Sequence, residues 1–232
     1  MRRFYDGVTV VSEAAGLAVA LDGRPIRTPA GRPLALPTAA LAEAIAAEWA
    51  GQGERLRRDR MPLTRLANGA LDRVPGEREA VIAETLAYAA TDLVCYRAEA
   101  PRALVQRQRA AWQPLLDWLA AHHGARLRVT RGVVPIAQDE HALARIAETV
   151  SAFDGWRLTG LHALAVATGS LVVALACVEG RIDGDAAWAA SRIDEDYQIT
   201  IWGEDAEAAA RRAALRAEVV AAARFVALAT RE

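Results

Sequence analysis

Leu17-Ala18-Val19-Ala20-Leu21-Asp22-Gly23-Arg24-Pro25-Ile26-Arg27-Thr28 reads as two short β-prone runs joined at Asp22-Gly23. That dipeptide suits a two-residue hairpin turn, in which both central residues need positive φ. Upstream, Val8-Thr9-Val10-Val11 is a further run, set off by a turn that ends at Gly16. Downstream, Pro29-Ala30-Gly31 turns the chain again before Leu34-Ala35-Leu36-Pro37. Three or four short strands follow from this punctuation, with prolines suited to sheet edges.

Beyond residue 37 the apolar period becomes helical. Thr38 is placed to N-cap a helix ending near Gly51 or Gly53, with Leu41, Ile45 and Trp49 on one face. Pro62 opens a helix expected to run through Asp72 and to stop at Pro75-Gly76. Further helices are expected over 77–94, 101–122, 139–152, 159–178, 184–201 and 204–229. Pro114 should kink or break its helix, and residues 125–136 read as a strand or an extended connection. Asp183 is a cap, and Gly203 separates the last two helices. The expected fold class is α+β. A small β-rich N-terminal domain with a connecting helix covers 1–60, and a larger, mostly helical domain covers 61–232.

Composition narrows the function. The 232 residues are 53% hydrophobic and 25% charged, which suits a folded globular chain. All 28 basic residues are arginine, yet the net charge is −1 and no long run of like charge occurs, so nothing advertises a general nucleic-acid binder. Charge is uneven all the same: residues 1–134 carry 19 arginines against 14 acids, and residues 135–232 carry 9 against 15. Cys95 and Cys177 are too few for a disulfide framework or a four-ligand metal site, and read as buried free thiols. Residues 158–178 lack any charge but hold Thr159, Gly160, His162, Thr168, Gly169 and Ser170. They read as one buried central helix, not as stable membrane insertion.

Chemical motifs are scarce. The chain has no glycine-rich phosphate loop, no H-E-x-x-H, no G-x-S-x-G and no C-x-x-C. His122-His123 before Gly124 reads as a helix C-terminus, so no metal and no cofactor is expected. Ser170 has only His162 nearby as a base, and Gly169-Ser170 reads instead as a close-packing position. Asp194-Glu195-Asp196 is harder to place. On one helix, Trp188, Ser191, Glu195, Ile199 and Trp202 share a stripe, while Asp194 and Asp196 point elsewhere. Two readings stand: solvated acids paired with arginines, or a carboxylate between aromatic anchors on a recognition surface. Glu48-Trp49 with Gln52 poses a similar question, and Trp49 reads as core.

Several segments together resemble the ATP12 family. They are Arg3-Phe4-Tyr5, Leu21-Asp22-Gly23-Arg24-Pro25, Thr28-Pro29, Ala47-Glu48-Trp49 with Gln52, and Met61-Pro62-Leu63-Thr64-Arg65-Leu66-Ala67-Asn68. To these are added the block from Tyr88 to Arg97, Trp112-Gln113-Pro114-Leu115-Leu116-Asp117-Trp118, Thr168-Gly169-Ser170-Leu171, Ser191 to Gln198, and Trp202-Gly203-Glu204-Asp205. The resemblance implies a non-enzymatic assembly chaperone that binds the α subunit of F1 ATP synthase and prevents its aggregation until β arrives. It implies Glu195 as a functional charge, Asp194 and Glu204 as further candidates beside Trp188 and Trp202, and Trp49 as structurally critical. Eukaryotic members carry a mitochondrial targeting extension, whereas here the motif begins at Arg3, so a bacterial, cytoplasmic, monomeric protein is expected. The rival is an enzyme whose small-molecule site gathers Arg65, Asp92, Arg97 and Glu195. An enzyme predicts a deep polar cleft, and a chaperone predicts a broad, shallow patch.

Overall fold

The computed structural model describes residues 1–14, 16–132 and 134–230. Ala15 in the turn expected before Gly16, and Val133 in the extended segment, lie outside them. Strand β1 (Val8–Glu13) pairs antiparallel with β2 (Gly16–Leu21), Val10 opposite Val19, and β2 pairs antiparallel with β3 (Arg24–Pro25). Asp22 and Gly23 adopt φ of 47° and 78°, as the tight hairpin demands. The Asp22 carboxylate also accepts the amides of Asp6 (3.1 Å) and Gly7 (2.7 Å), which ties the preceding segment to the turn. The fourth run makes only single bridges, Leu17 to Leu36 and Arg27 to Pro33. Pro33 and Pro37 have no amide hydrogen to extend a ladder.

Helix α1 (Ala39–Ala50) starts at Thr38, whose hydroxyl oxygen accepts the Leu41 amide at 3.1 Å. Leu41 and Ile45 are fully buried, but Trp49 on the same stripe is only half-buried. Helix α2 (Pro62–Asn68) does not stop before Pro75-Gly76 as its sequence suggests. It passes through a π turn (Gly69–Arg73) into α3 (Val74–Ala90). Pro75 leaves the Leu71 carbonyl without its helical donor, and Arg32 Nη1 donates to that oxygen instead (2.6 Å); the bend comes at Glu77.

Helix α4 (Arg102–His123) runs unbroken over Pro114 and ends at Gly124, φ 64°. Ala110, whose carbonyl loses its donor at Pro114, is exposed, so water can replace the bond. Strand β4 (Tyr96–Arg97) pairs in parallel with β5 (Thr130–Arg131), and α5 (Glu140–Ser151) follows, capped by Asp139.

The uncharged stretch is two helices and not one, α6 (Gly155–Thr168) and α7 (Leu171–Val178). Gly169 at φ 70° ends the first, and the Ser170 hydroxyl accepts the Val173 amide (3.0 Å) to start the second. Gly169 and Ser170, expected in the interior of one helix, are instead the stop of α6 and the start of α7. Every residue of α7 is buried. Among the described residues no helix is long and apolar enough to cross a membrane.

The helix expected over 184–201 is likewise interrupted. Helix α8 (Gly184–Ser191), capped by Asp183, gives way at Arg192 to α9 (Ile193–Trp202). Gly203 then turns the chain into α10 (Ala206–Ala229). One apolar core joins Val19, Leu34 and Leu36 of the β-rich unit to Leu158, Leu171 and Phe225 of the helical body. Helix α10 lies close on α6 and α8 because Gly160 and Gly184 present no side chain. A Cβ at Gly160 would come within 2.1 Å of Val226 Cγ2, and one at Gly184 within 2.9 Å of Ala223 Cβ. The fold is α+β, a small antiparallel sheet followed by a larger helical part.

Candidate functional site: a groove between two projecting helices

Helix α9 contributes no buried residue, and the first buried residue of α10 is Val219. Its opening turns are rich in alanine, arginine and glutamate and lack a dense apolar stripe, so they gain little by packing on the body. α9 and the first half of α10 therefore rest on the body only along one side, through Ile193 and Leu215, and keep their other faces in solvent. Between them lies a groove of about 480 Å³ lined by Trp188, Glu195, Ile199, Trp202, Glu204, Arg211 and Leu215, among others.

The floor is Trp188, which is 7% exposed. The guanidinium groups of Arg192 (5.3 Å) and Arg212 (5.7 Å) lie over its indole. Arg192, at the break between α8 and α9, donates to Ala167 O (2.8 Å) in the last turn of α6 and pairs with Glu195 (2.9 Å). It anchors α9 to the body and holds Glu195 on the groove wall. Arg212 pairs with Asp196, and Arg211 pairs with Glu207. Trp202 stands at the lip, 82% exposed, beside Ile201 at 54%.

Of the residues singled out from sequence, Trp188, Glu195, Trp202 and Glu204 thus meet around one groove. Asp194 does not join them. Its carboxylate accepts from Gln108 Nε2 at 2.6 Å, on the side facing α4. The interruption at Arg192 means that no single helical stripe carries these residues; the return of α10 completes the site. Arg192, Arg211, Arg212 and Leu215 are groove residues that the sequence reading missed. For Arg211 and Arg212 the signal was an arginine pair in the opening turns of a long helix; Arg192 and Leu215 carried none.

Trp49 lies elsewhere. Its ring sits 5.7 Å from that of Tyr5, whose hydroxyl donates to the Trp49 carbonyl at 2.7 Å. Half-buried against the core, it joins the N-terminal segment to α1 instead of filling the interior.

The four residues of the enzymatic alternative are not gathered. Arg65 pairs with Glu218 on the surface, and Glu195 with Arg192. Asp92 is fully buried and accepts from the Ser170 hydroxyl (2.6 Å) and the amides of Val172 (2.9 Å) and Val94 (3.1 Å). Burial pushes its carboxyl up to about 6, against the pull of those donors. Arg97 donates to Gln108 O (2.9 Å) and lies 5.1 Å from the Trp112 ring. Asp92 and Arg97 serve the joints of the fold. Among the described residues no cluster of acids, histidines and cysteines has the arrangement of a metal site.

Comparison with known proteins gives the family. The profile of the ATP12 chaperone protein family matches residues 2–120. Atp12 from Paracoccus denitrificans superposes with a TM-score of 0.91 at 46% identity, covering 99% of this chain and 98% of that one. A candidate chaperone from Agrobacterium tumefaciens gives a TM-score of 0.90 at 40% identity, over 98% of this chain and 85% of the other. The mitochondrial atp12 protein of Schizosaccharomyces pombe is 24% identical over 219 residues, which are 88% of this chain and 75% of the yeast one. The class is that of assembly chaperones and not of enzymes. This chain belongs to the ATP12 family, chaperones of ATP synthase assembly, and resembles its bacterial members.

Proposed function

We propose that the protein binds the α subunit of F1 ATP synthase before α meets β, and that the groove between α9 and α10 is where it does so. The observation that carries this reading is Trp202, an 82% exposed tryptophan at the end of a helix that contributes no buried residue. A large aromatic held in water costs solubility unless a partner covers it. The groove offers apolar contact through Trp188, Ile199 and Leu215, and orientation through Glu195 and Glu204. Masking of this kind needs no hydrolysis: the chaperone covers an apolar client surface and is displaced when β offers a larger one. The setting is the bacterial cytoplasm, and the working form is a monomer. Binding of purified α subunit by the wild-type chain and by Glu195→Gln tests the site. A tenfold or greater loss with an unchanged circular dichroism spectrum is expected, and equal binding would move the site elsewhere.

A further inference from the structure

We infer that the edge formed by Arg2 and residues 55–60 docks the protein reversibly on an anionic lipid surface. Residues 1–3 pair with residues 54–56: the Arg3 amide donates to Glu54 O (2.9 Å) and the Leu56 amide to Met1 O (3.0 Å). Those two bonds flank Arg2 and Arg55, which are directly opposed in an antiparallel bridge. They form the non-hydrogen-bonded kind of pair, in which side chains come closest. Two cations opposed in this way oppose folding, so the fold gives no reason for the pair.

The chain then runs Arg55-Leu56-Arg57-Arg58-Asp59-Arg60, its four arginines all exposed and its last three residues in a 3₁₀ turn. Asp59 is occupied by Arg57 at 2.8 Å. Among the described residues, the side chains of Arg2, Arg55 and Arg58 make no hydrogen bond or ion pair. Phe4, 62% exposed, stands two residues from Arg2.

Shape and charge select the partner. The cavity beside this edge is lined by Asp6, Asp22 and Glu54 as well as by Arg2 and Phe4, so an acidic peptide entering it would meet carboxylates. Arg57, Arg58 and Arg60 are not part of that lining and stand exposed at and just before the 3₁₀ turn. The exposed row Arg55, Arg57, Arg58 and Arg60 fits a plane of negative headgroups instead. Each arginine contributes about a fivefold gain near such a surface. The attachment is salt-sensitive.

Co-sedimentation of the full chain with vesicles tests this. One set is made of phosphatidylglycerol and phosphatidylcholine in equal parts, and the other of phosphatidylcholine alone. Binding to the first set only, lost at about 1 M salt where the Debye length is ~3 Å, is expected. The triple variant Arg55→Ala, Arg58→Ala, Arg60→Ala should bind at least tenfold less, with its circular dichroism unchanged. Should that variant misfold, Arg58→Glu is read in its place. No binding to anionic vesicles, or full binding by the folded variant, would overturn the proposal. So would capture of a soluble poly-glutamate peptide without vesicle binding, which would assign the edge to an acidic protein segment.

Discussion

The carboxylate of Glu48 on α1 caps the N-terminus of α2 at Thr64, accepting both its amide (2.8 Å) and its hydroxyl (2.7 Å), and accepting the Leu63 amide (2.7 Å) as well. A charge taken from one helix thus satisfies the orphan donors of the next, across the junction between the β-rich unit and the helical body. The neighbouring joints are of the same kind. Gln52 Nε2 donates to Glu48 O (3.0 Å), Gln52 Oε1 accepts the Arg57 amide (2.7 Å), and Arg3 donates to Gln52 O (2.7 Å).

Glu48→Ala should therefore cost about 2–3 kcal/mol, because it leaves half-buried amides without an acceptor. Urea denaturation measures it as a lower midpoint at an unchanged slope. A loss below about 0.5 kcal/mol, the range of ordinary surface substitutions, would show that solvent caps α2 equally well.

Trp49→Arg should destabilise the chain by about 2–4 kcal/mol, since it removes the ring packed on Tyr5 and the core and puts a charge in its place. Thermal denaturation followed by circular dichroism reads the effect. A variant as stable as wild type would remove Trp49 from the structural joint.

Gly160→Ala should cost about 1–3 kcal/mol, because the new methyl meets Val226 and forces α10 away from α6. The same substitution at Gly169, where nothing stands within 4 Å of a Cβ but φ is 70°, should cost about 1 kcal/mol through backbone strain alone. Pairing Gly160→Ala with Val226→Ala should recover part of the first loss and none of the second.

Asp92 sets a pH dependence. Its carboxyl titrates near 6 in the fold against 3.8 when unperturbed, so between those values the folded state holds the proton more tightly. Stability from this group is fully present below 3.8 and falls as pH rises through about 6. The stability advantage of wild type over Asp92→Asn should therefore be larger at about pH 5 than at about pH 7. A difference that grows with pH would contradict the burial argument.

Much of the fold was legible because its signals were local. Asp22-Gly23 can make a tight hairpin and little else, and Thr38 before a run with Leu41 and Ile45 is a cap before a buried face. Local chemistry misled where one residue type serves two ends: Gly169-Ser170 fits a packed helix interior as well as a stop followed by a start. Only the left-handed Gly169 and the Ser170 contact with buried Asp92 decide between them. The site was half legible. Helical spacing set Trp188, Glu195 and Trp202 on one stripe, but the break at Arg192 and the return of α10 with Arg211, Arg212 and Leu215 are not encoded in that spacing. Asp194, adjacent in sequence and equal in charge, was turned away by Gln108, a partner 86 residues distant.

The most direct measurement is aggregation of isolated F1 α subunit, followed by light scattering with and without this protein, with isolated β subunit as the control. The account predicts suppression for α at stoichiometric amounts, none for β, and a loss of suppression with Trp202→Ala at unchanged fold. Equal protection of α and β, or of neither, would contradict it.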